Sequence, residues 1–84
     1  MYTLLIKPSA ERDLRRLPEA IFRRINESLL ALRDNPRPGG TVKLSANLKG
    51  WRLRVGDYRI LYQINDDARM VTIVRIRHRR DVYR

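Results

Sequence analysis

Trp51-Arg52-Leu53-Arg54-Val55-Gly56-Asp57-Tyr58-Arg59-Ile60-Leu61-Tyr62 is the stretch from which the fold is read. Trp51, Leu53 and Val55 alternate with Arg52 and Arg54, the period of two expected of a half-buried strand. Gly56-Asp57 is a two-residue turn with glycine first, which is the type II′ hairpin preference. Beyond it Tyr58, Ile60, Tyr62 and Ile64 alternate with Arg59, Leu61 and Gln63, a second strand returning antiparallel to the first. Arg52 and Arg54 therefore share one strand face, and Arg59 opens the partner strand beside Arg54 or Val55.

Working outward toward the C-terminus, Asn65 to Arg69 reads as a second turn in which Asp66 and Asp67 are solvated. Met70 to Ile76 is a strongly apolar third strand that runs into Arg77-His78-Arg79-Arg80 and the tail Asp81-Val82-Tyr83-Arg84. In a meander this strand returns antiparallel to the second, so its end approaches Arg52 and Arg54. Toward the N-terminus, Thr41 to Leu44 is either a short edge strand or a loop, and Asn35-Pro36-Arg37-Pro38-Gly39-Gly40 is a dense breaker cluster. Before it lie two helices. Ser9 is placed to cap the first, with Glu11 and Asp13 in its first turn and Ala10, Leu14 and Leu17 on one stripe. Pro18 stops that helix and opens a second of about 16 residues, with Ile21, Ile25, Leu29 and Leu32 on its stripe and Phe22 widening it. Tyr2 to Lys7 is an opening strand. The expected fold is α+β: an N-terminal strand, a two-helix hairpin, then an antiparallel meander of three to four strands. The helices cover one sheet face and leave the other free to work. A single domain over residues 1–84 is expected.

Composition narrows the function. Lys and Arg total 19 against 9 for Asp and Glu, a formal net charge of +10 on 84 residues. The apolar fraction of 43% is that of a folded domain, so the charge does not signal disorder. With no cysteine and one histidine, disulfides, thiolate metal sites, multi-histidine metal sites and a cysteine nucleophile are excluded, and no cofactor, metal or small-molecule ligand is expected. No apolar run approaches the roughly 20 residues of a membrane span. Met1 to Lys7 lacks the basic lead-in and cleavage site of a signal peptide, so a cytoplasmic protein with a polyanionic partner and no membrane contact is expected.

The charge is uneven. Residues 1–40 carry eight basic and five acidic side chains, and residues 41–84 carry eleven and four, so the net is +3 for the first half and +7 for the sheet half. Of the cations, 16 are Arg and 3 are Lys, and arginine grips phosphate with a planar two-bond fork. Taken singly, each arginine is an ordinary solvated strand-face residue. Taken together, Arg52, Arg54, Arg59 and Arg79 read as a phosphate-contacting cluster, because gathered like charges call for an anionic ligand. A lone histidine is more often a surface or capping residue, but flanking cations favour its neutral form, in which His78 can act as a base. Tyr83 is a core anchor or a stacking platform, and Trp51 a packing residue.

The sequence resembles the RelE/ParE superfamily of bacterial toxins over nearly its whole length. The resemblance rests on the opening strand with Ala10-Glu11-Arg12-Asp13-Leu14, on Leu44 and Leu48-Lys49-Gly50, on the run from Trp51 to Tyr62, and on His78-Arg79-Arg80-Asp81-Val82-Tyr83. It implies a sheet with two N-terminal helices on one face, in agreement with the reading above. It also implies a type II toxin. RelE-like members are ribosome-dependent ribonucleases that cut mRNA in the A site, without metal, by attack of the 2′-hydroxyl on the adjacent phosphate. ParE-like members inhibit DNA gyrase instead. By the resemblance the RelE set falls on Arg52, Arg54, Arg59, Arg79 and Tyr83, with His78 in the terminal motif, which favours the ribonuclease branch. Gyrase inhibition and non-catalytic nucleic-acid binding are the alternatives. Arg52 and Arg54 stand where the best-known RelE-type sites have lysines, and arginine effectively never gives up its proton, so His78 is expected to matter more here. The implied partners are the ribosome, its mRNA and a cognate acidic, RelB-like antitoxin. Some members continue into a C-terminal helix that the antitoxin displaces. This sequence ends one residue after Tyr83, so the antitoxin is expected on the basic sheet face or the helical hairpin.

Overall fold

A computed structural model describes residues 1–44 and 50–83. The elements are β1 (Thr3–Ile6), α1 (Pro8–Arg15), α2 (Glu19–Ala31), β2 (Thr41–Lys43), β3 (Trp51–Val55), β4 (Tyr58–Asn65) and β5 (Met70–His78), followed by a 3₁₀ turn, Arg79–Tyr83. The five strands form one sheet in the order β1-β5-β4-β3-β2. β2 to β5 are an antiparallel meander, and β1 joins its far edge parallel to β5, with Thr3 opposite Met70 and Ile6 opposite Ile73. Thr41 to Lys43 resolves the strand-or-loop alternative as an edge strand. Leu48 and Lys49 lie outside the described residues.

Two details of the helices differ from expectation. Ser9 does not cap α1. The helix starts at Pro8, whose fixed φ and missing N–H suit a first position, and Lys7 makes no side-chain cap bond. Ser9 lies inside the first turn, and its hydroxyl donates to the carbonyl of Val74 at 2.8 Å. In α2, Pro18 occupies the cap position and the helix runs 13 residues.

Both helices lie on one face of the sheet, α1 mainly over β5 and α2 over β3. Ile25, Leu29 and Leu32 of the α2 stripe and Ala10 of α1 are fully buried against Leu53, Ile60, Tyr62, Val71, Ile73 and Ile76. Each large apolar side chain buried there contributes about 1.5–3 kcal/mol. Phe22, expected to widen the stripe, stays 37% exposed. Tyr62 is the largest buried side chain, and its hydroxyl donates to the Pro36 carbonyl at 2.7 Å, which ties the breaker cluster to the sheet. Burial raises this phenol above its ordinary pKa.

β5 carries an irregularity that the alternation does not show. Leu61 pairs with Arg75 while Tyr62 pairs with Ile73, so Val74 is left over as a bulge. Beside it, Asp13 of α1 accepts from Arg75 Nε at 2.8 Å and from the Ile76 amide at 2.9 Å through the same oxygen. This ion pair, formed by a carboxylate only 13% exposed, locks α1 to the bulge and holds the Arg75 guanidinium above its ordinary pKa.

Asp66 departs from the expectation of a solvated turn residue. Its carboxylate accepts from the Tyr2 hydroxyl at 2.6 Å and from both terminal nitrogens of Arg37 at 3.2 and 2.8 Å. Those bonds, Arg37 first, hold its pKa down at about 2. Arg37 also lies over the Trp51 ring at 5.1 Å, so the N-terminus, the α2–β2 connection and the β4–β5 turn meet at one end of the sheet. No helix of the described residues is long and apolar enough to cross a membrane.

Candidate functional site: an arginine row on the open sheet face

The strand registers decide which arginines meet. Leu53 pairs with Ile60 and Ile60 with Ile76, and all three are buried under the helices. Their neighbours along each strand point the other way. Arg54 pairs with Arg59, and Arg59 pairs with Arg77. Three guanidinium side chains therefore stand in one row across β3, β4 and β5 on the face without helices. Directly opposed residues have Cβ atoms about 5 Å apart. Arg52 stands on the same face two residues along β3, opposite Leu61 and Val42.

The hairpin turn organises the end of the row. Gly56 has φ +59, and among the described residues the only non-glycine with positive φ is Arg69, so Asp57 is on the ordinary side, as a type II′ turn requires. The Gly56 carbonyl accepts from Arg54 Nε at 3.1 Å. The Asp57 carbonyl accepts from the Arg79 amide at 2.7 Å, and the Arg79 guanidinium lies 3.9 Å from the Asp57 carboxylate. Both side chains of that pair are well exposed, so it is weak and leaves Arg79 free to meet an anion. From α2, Arg24 reaches the same turn, its nitrogens 3.5 Å from where a Cβ on Gly56 would stand. Arg24, Arg54, Arg59, Arg77 and Arg79 thus converge on one corner of the sheet.

Of the residues singled out in the sequence, the fold brings Arg52, Arg54, Arg59 and Arg79 to this region. His78 goes elsewhere. It pairs with Tyr58, on the helix-covered face, and its ring meets the Tyr58 ring edge-on at 4.9 Å. It lines an open cavity of about 320 Å³ with Asp13, Arg16, Leu17 and Asp81. Its Nδ1 accepts from the Arg80 amide at 3.1 Å. The ring therefore stands on the other face of the sheet from Arg54 and Arg59, although Arg77 at the end of that row also lines the cavity. Tyr83 ends the 3₁₀ turn, and its side chain lies outside what the structure describes. Arg77 and Arg24 were not among the singled-out site residues. Only the strand register could have found Arg77, and only the packing of α2 against the hairpin could have found Arg24.

The result is a small α+β domain with helices on one sheet face and an arginine row on the other. Comparison with known proteins says which class of such domains this is. Residues 4–83 match the family model described as the ParE toxin of the type II toxin–antitoxin system parDE. The chain is 38% identical over 86 residues to Toxin RelG of Mycobacterium tuberculosis, covering 99% of this chain and 97% of that protein. It is 39% identical over 85 residues to Toxin RelE of the same organism, covering 99% and 87%. Among solved structures, it superposes on the toxin of the RelBE2 toxin–antitoxin complex of Mycobacterium tuberculosis with a TM-score of 0.81 at 32% identity, covering 92% of this chain and 96% of that one. It superposes on the archaeal RelE–RelB complex of Pyrococcus horikoshii with a TM-score of 0.83 at 29% identity, covering 93% and 94%. The chain belongs to the RelE/ParE family of type II toxin–antitoxin toxins.

Proposed function

We propose that this toxin is a metal-independent endoribonuclease that cuts mRNA on the ribosome and so stops translation, and that an acidic antitoxin restrains it in the cytoplasm. The observation that carries this reading is the Arg54–Arg59–Arg77 row on the uncovered sheet face, with Arg79 docked at its end. RNA brings its own nucleophile, the 2′-hydroxyl. In-line attack on the adjacent phosphorus forms the 2′-O–P bond of a cyclic phosphate and breaks the bond to the 5′-oxygen; the 2′-hydroxyl gives its proton to solvent water, and the 5′-oxygen takes one from water and leaves as a hydroxyl. The protein has three tasks: to align the attack, to stabilise charge on the phosphoryl oxygens, and to neutralise the leaving oxygen. Arg54 and Arg59 suit the phosphoryl oxygens, with Arg77 extending the same row and Arg52 holding the next phosphate. Arg79 suits the leaving oxygen. Tyr83 is assigned to stacking on a base or orienting the 2′-hydroxyl. The burden falls on orientation and electrostatics, since arginine does not serve as a base and the His78 ring is engaged on the opposite face. The antitoxin reading is supported by the net charge of +10 and by the toxin–antitoxin complexes among the similar structures.

The test is induction of the chain in a bacterium with mapping of new mRNA 5′ ends, beside the Arg59→Ala, Arg79→Ala double variant. New ends inside translated frames, absent in the variant, are expected. Growth arrest with intact mRNA and halted replication would overturn the reading in favour of gyrase, with the row as a binding surface.

A further inference from the structure

We infer that His78 is a positioning residue, the latch that holds the C-terminal turn bearing Arg79 and Tyr83 against the β3–β4 hairpin. The significance of the latch for RNA cleavage rests on the function proposed above. Three bonds make the latch. The His78 amide donates to Asp81 Oδ2 at 3.2 Å, the Arg80 amide donates to His78 Nδ1 at 3.1 Å, and the Arg79 amide donates to the Asp57 carbonyl at 2.7 Å. The chain reverses tightly after β5, and two of these bonds close the reversal on itself while the third fixes it to the hairpin. The Tyr58 ring, edge-on at 4.9 Å, sets the orientation of the imidazole. The result is a chain of positions running from Tyr58 through His78 to Arg80, with Arg79 held between them at the end of the arginine row.

The arrangement specifies a protonation state. A nitrogen that accepts from an amide N–H carries no proton, so this bond is made by the neutral ring with its proton on Nε2. Adding a second proton places an N–H against the Arg80 N–H and removes that bond. The other charged and titratable groups lining the same cavity are Asp13 and Arg16 of α1, Tyr58 of β4, Arg75 and Arg77 of β5, and Asp81. Asp13 is already engaged by Arg75 and the Ile76 amide, and Asp81 by the His78 amide, so neither carboxylate is committed to the ring nitrogens.

The experiment uses the full-length toxin as wild type, His78→Asn and His78→Leu. Asparagine offers an acceptor oxygen near the position of Nδ1 and does not titrate, while leucine fills space without an acceptor. Backbone amide spectra from pH 5 to 8 give a readout independent of catalysis. In the wild type the Arg79 and Arg80 amide signals are expected to move with the same midpoint as the His78 ring protons. In His78→Asn they stay at the high-pH wild-type positions, and in His78→Leu they resemble the low-pH state throughout. Cleavage on ribosomes is expected to fall in the wild type as the His78 ring takes up a second proton, to stay within about threefold of wild type for His78→Asn at every pH, and to drop about fivefold for His78→Leu, as loss of one hydrogen bond implies. A general base would instead lose about a hundredfold or more in both variants. That result, or amide signals indifferent to His78 titration, overturns the inference. Amides that follow His78 in a protein that cuts no RNA would leave the latch standing and remove the ribonuclease.

Discussion

Replacing Arg59 by Gln removes the central charge of the row, and at low salt its effects on folding and on RNA binding should have opposite signs. Arg59 is flanked on both sides, by Arg54 and by Arg77. With opposed Cβ atoms about 5 Å apart and long side chains that splay, guanidinium separations of roughly 7 Å follow. Two such repulsions at the dielectric of water amount to about 1.2 kcal/mol in the absence of salt. Screening leaves about 0.9 kcal/mol at 10 mM salt, about 0.5 at 150 mM and about 0.1 at 1 M. Against this stands the loss of part of the aliphatic stem of a half-buried side chain, about 0.5 kcal/mol. The variant should therefore be more stable than the wild type by about 0.4 kcal/mol at 10 mM salt, equal at 150 mM and less stable by a similar amount at 1 M. Urea unfolding at the three salt concentrations reads this directly. The same variant should bind single-stranded RNA more weakly, with the slope of log K against log salt shallower by about 0.7, because one phosphate fewer is neutralised. A stability difference that does not change with salt would refute the row as a set of mutually repelling charges. An unchanged RNA slope would refute it as a phosphate site.

Three further outcomes follow from the scaffold. Asp13→Ala strips the Ile76 amide and Arg75 of their shared acceptor and should cost about 2 kcal/mol, visible as a lowered urea midpoint and as rapid hydrogen exchange at Ile76. Tyr62→Phe leaves the Pro36 carbonyl without its buried donor and should cost about 1 kcal/mol by thermal melting, with the breaker cluster becoming sensitive to proteolysis. Asp66 has a folded pKa depressed from 3.8 to about 2, so its contribution is present above pH 3.8 and lost as pH falls toward 2. Asp66→Asn should flatten the stability–pH profile in that window and leave its shape above pH 5 unchanged.

The hairpin was legible because every local signal agreed: strict alternation on both sides of Gly56-Asp57, and a turn residue that accepts φ +59. The helices were legible from their stripes, although Phe22 shows that a stripe wider than the sheet beneath it stays exposed. Ser9 was misread because a capping residue and a proline compete for the same helix start, and the proline, which sacrifices no hydrogen bond there, wins. Asp66 was misread because its partners, Tyr2 and Arg37, are 64 and 29 residues away in sequence, and no local pattern encodes such a meeting.

The division of labour between Arg77 and His78 was the least legible feature, and the bulge at Val74 explains why. Strict alternation from the core residues Val71 and Ile73 would carry Arg75 and Arg77 under the helices and turn Ile76 and His78 outward. The extra residue shifts the phase, so that Ile76 joins Ile73 in the core although they are three positions apart. From that point Arg77 belongs to the open face and His78 to the covered one. The shift is secured from outside the strand, by Ser9 on the Val74 carbonyl and by Asp13 on the Ile76 amide. The α1 motif Ala10-Glu11-Arg12-Asp13-Leu14 therefore acts on the site at a distance: Ala10 seats the helix in the core, and Asp13 fixes the phase of the strand that presents Arg77. A change at Asp13 should accordingly disturb the arginine row as well as stability, because the same carboxylate that anchors α1 determines which face of β5 its last charges occupy.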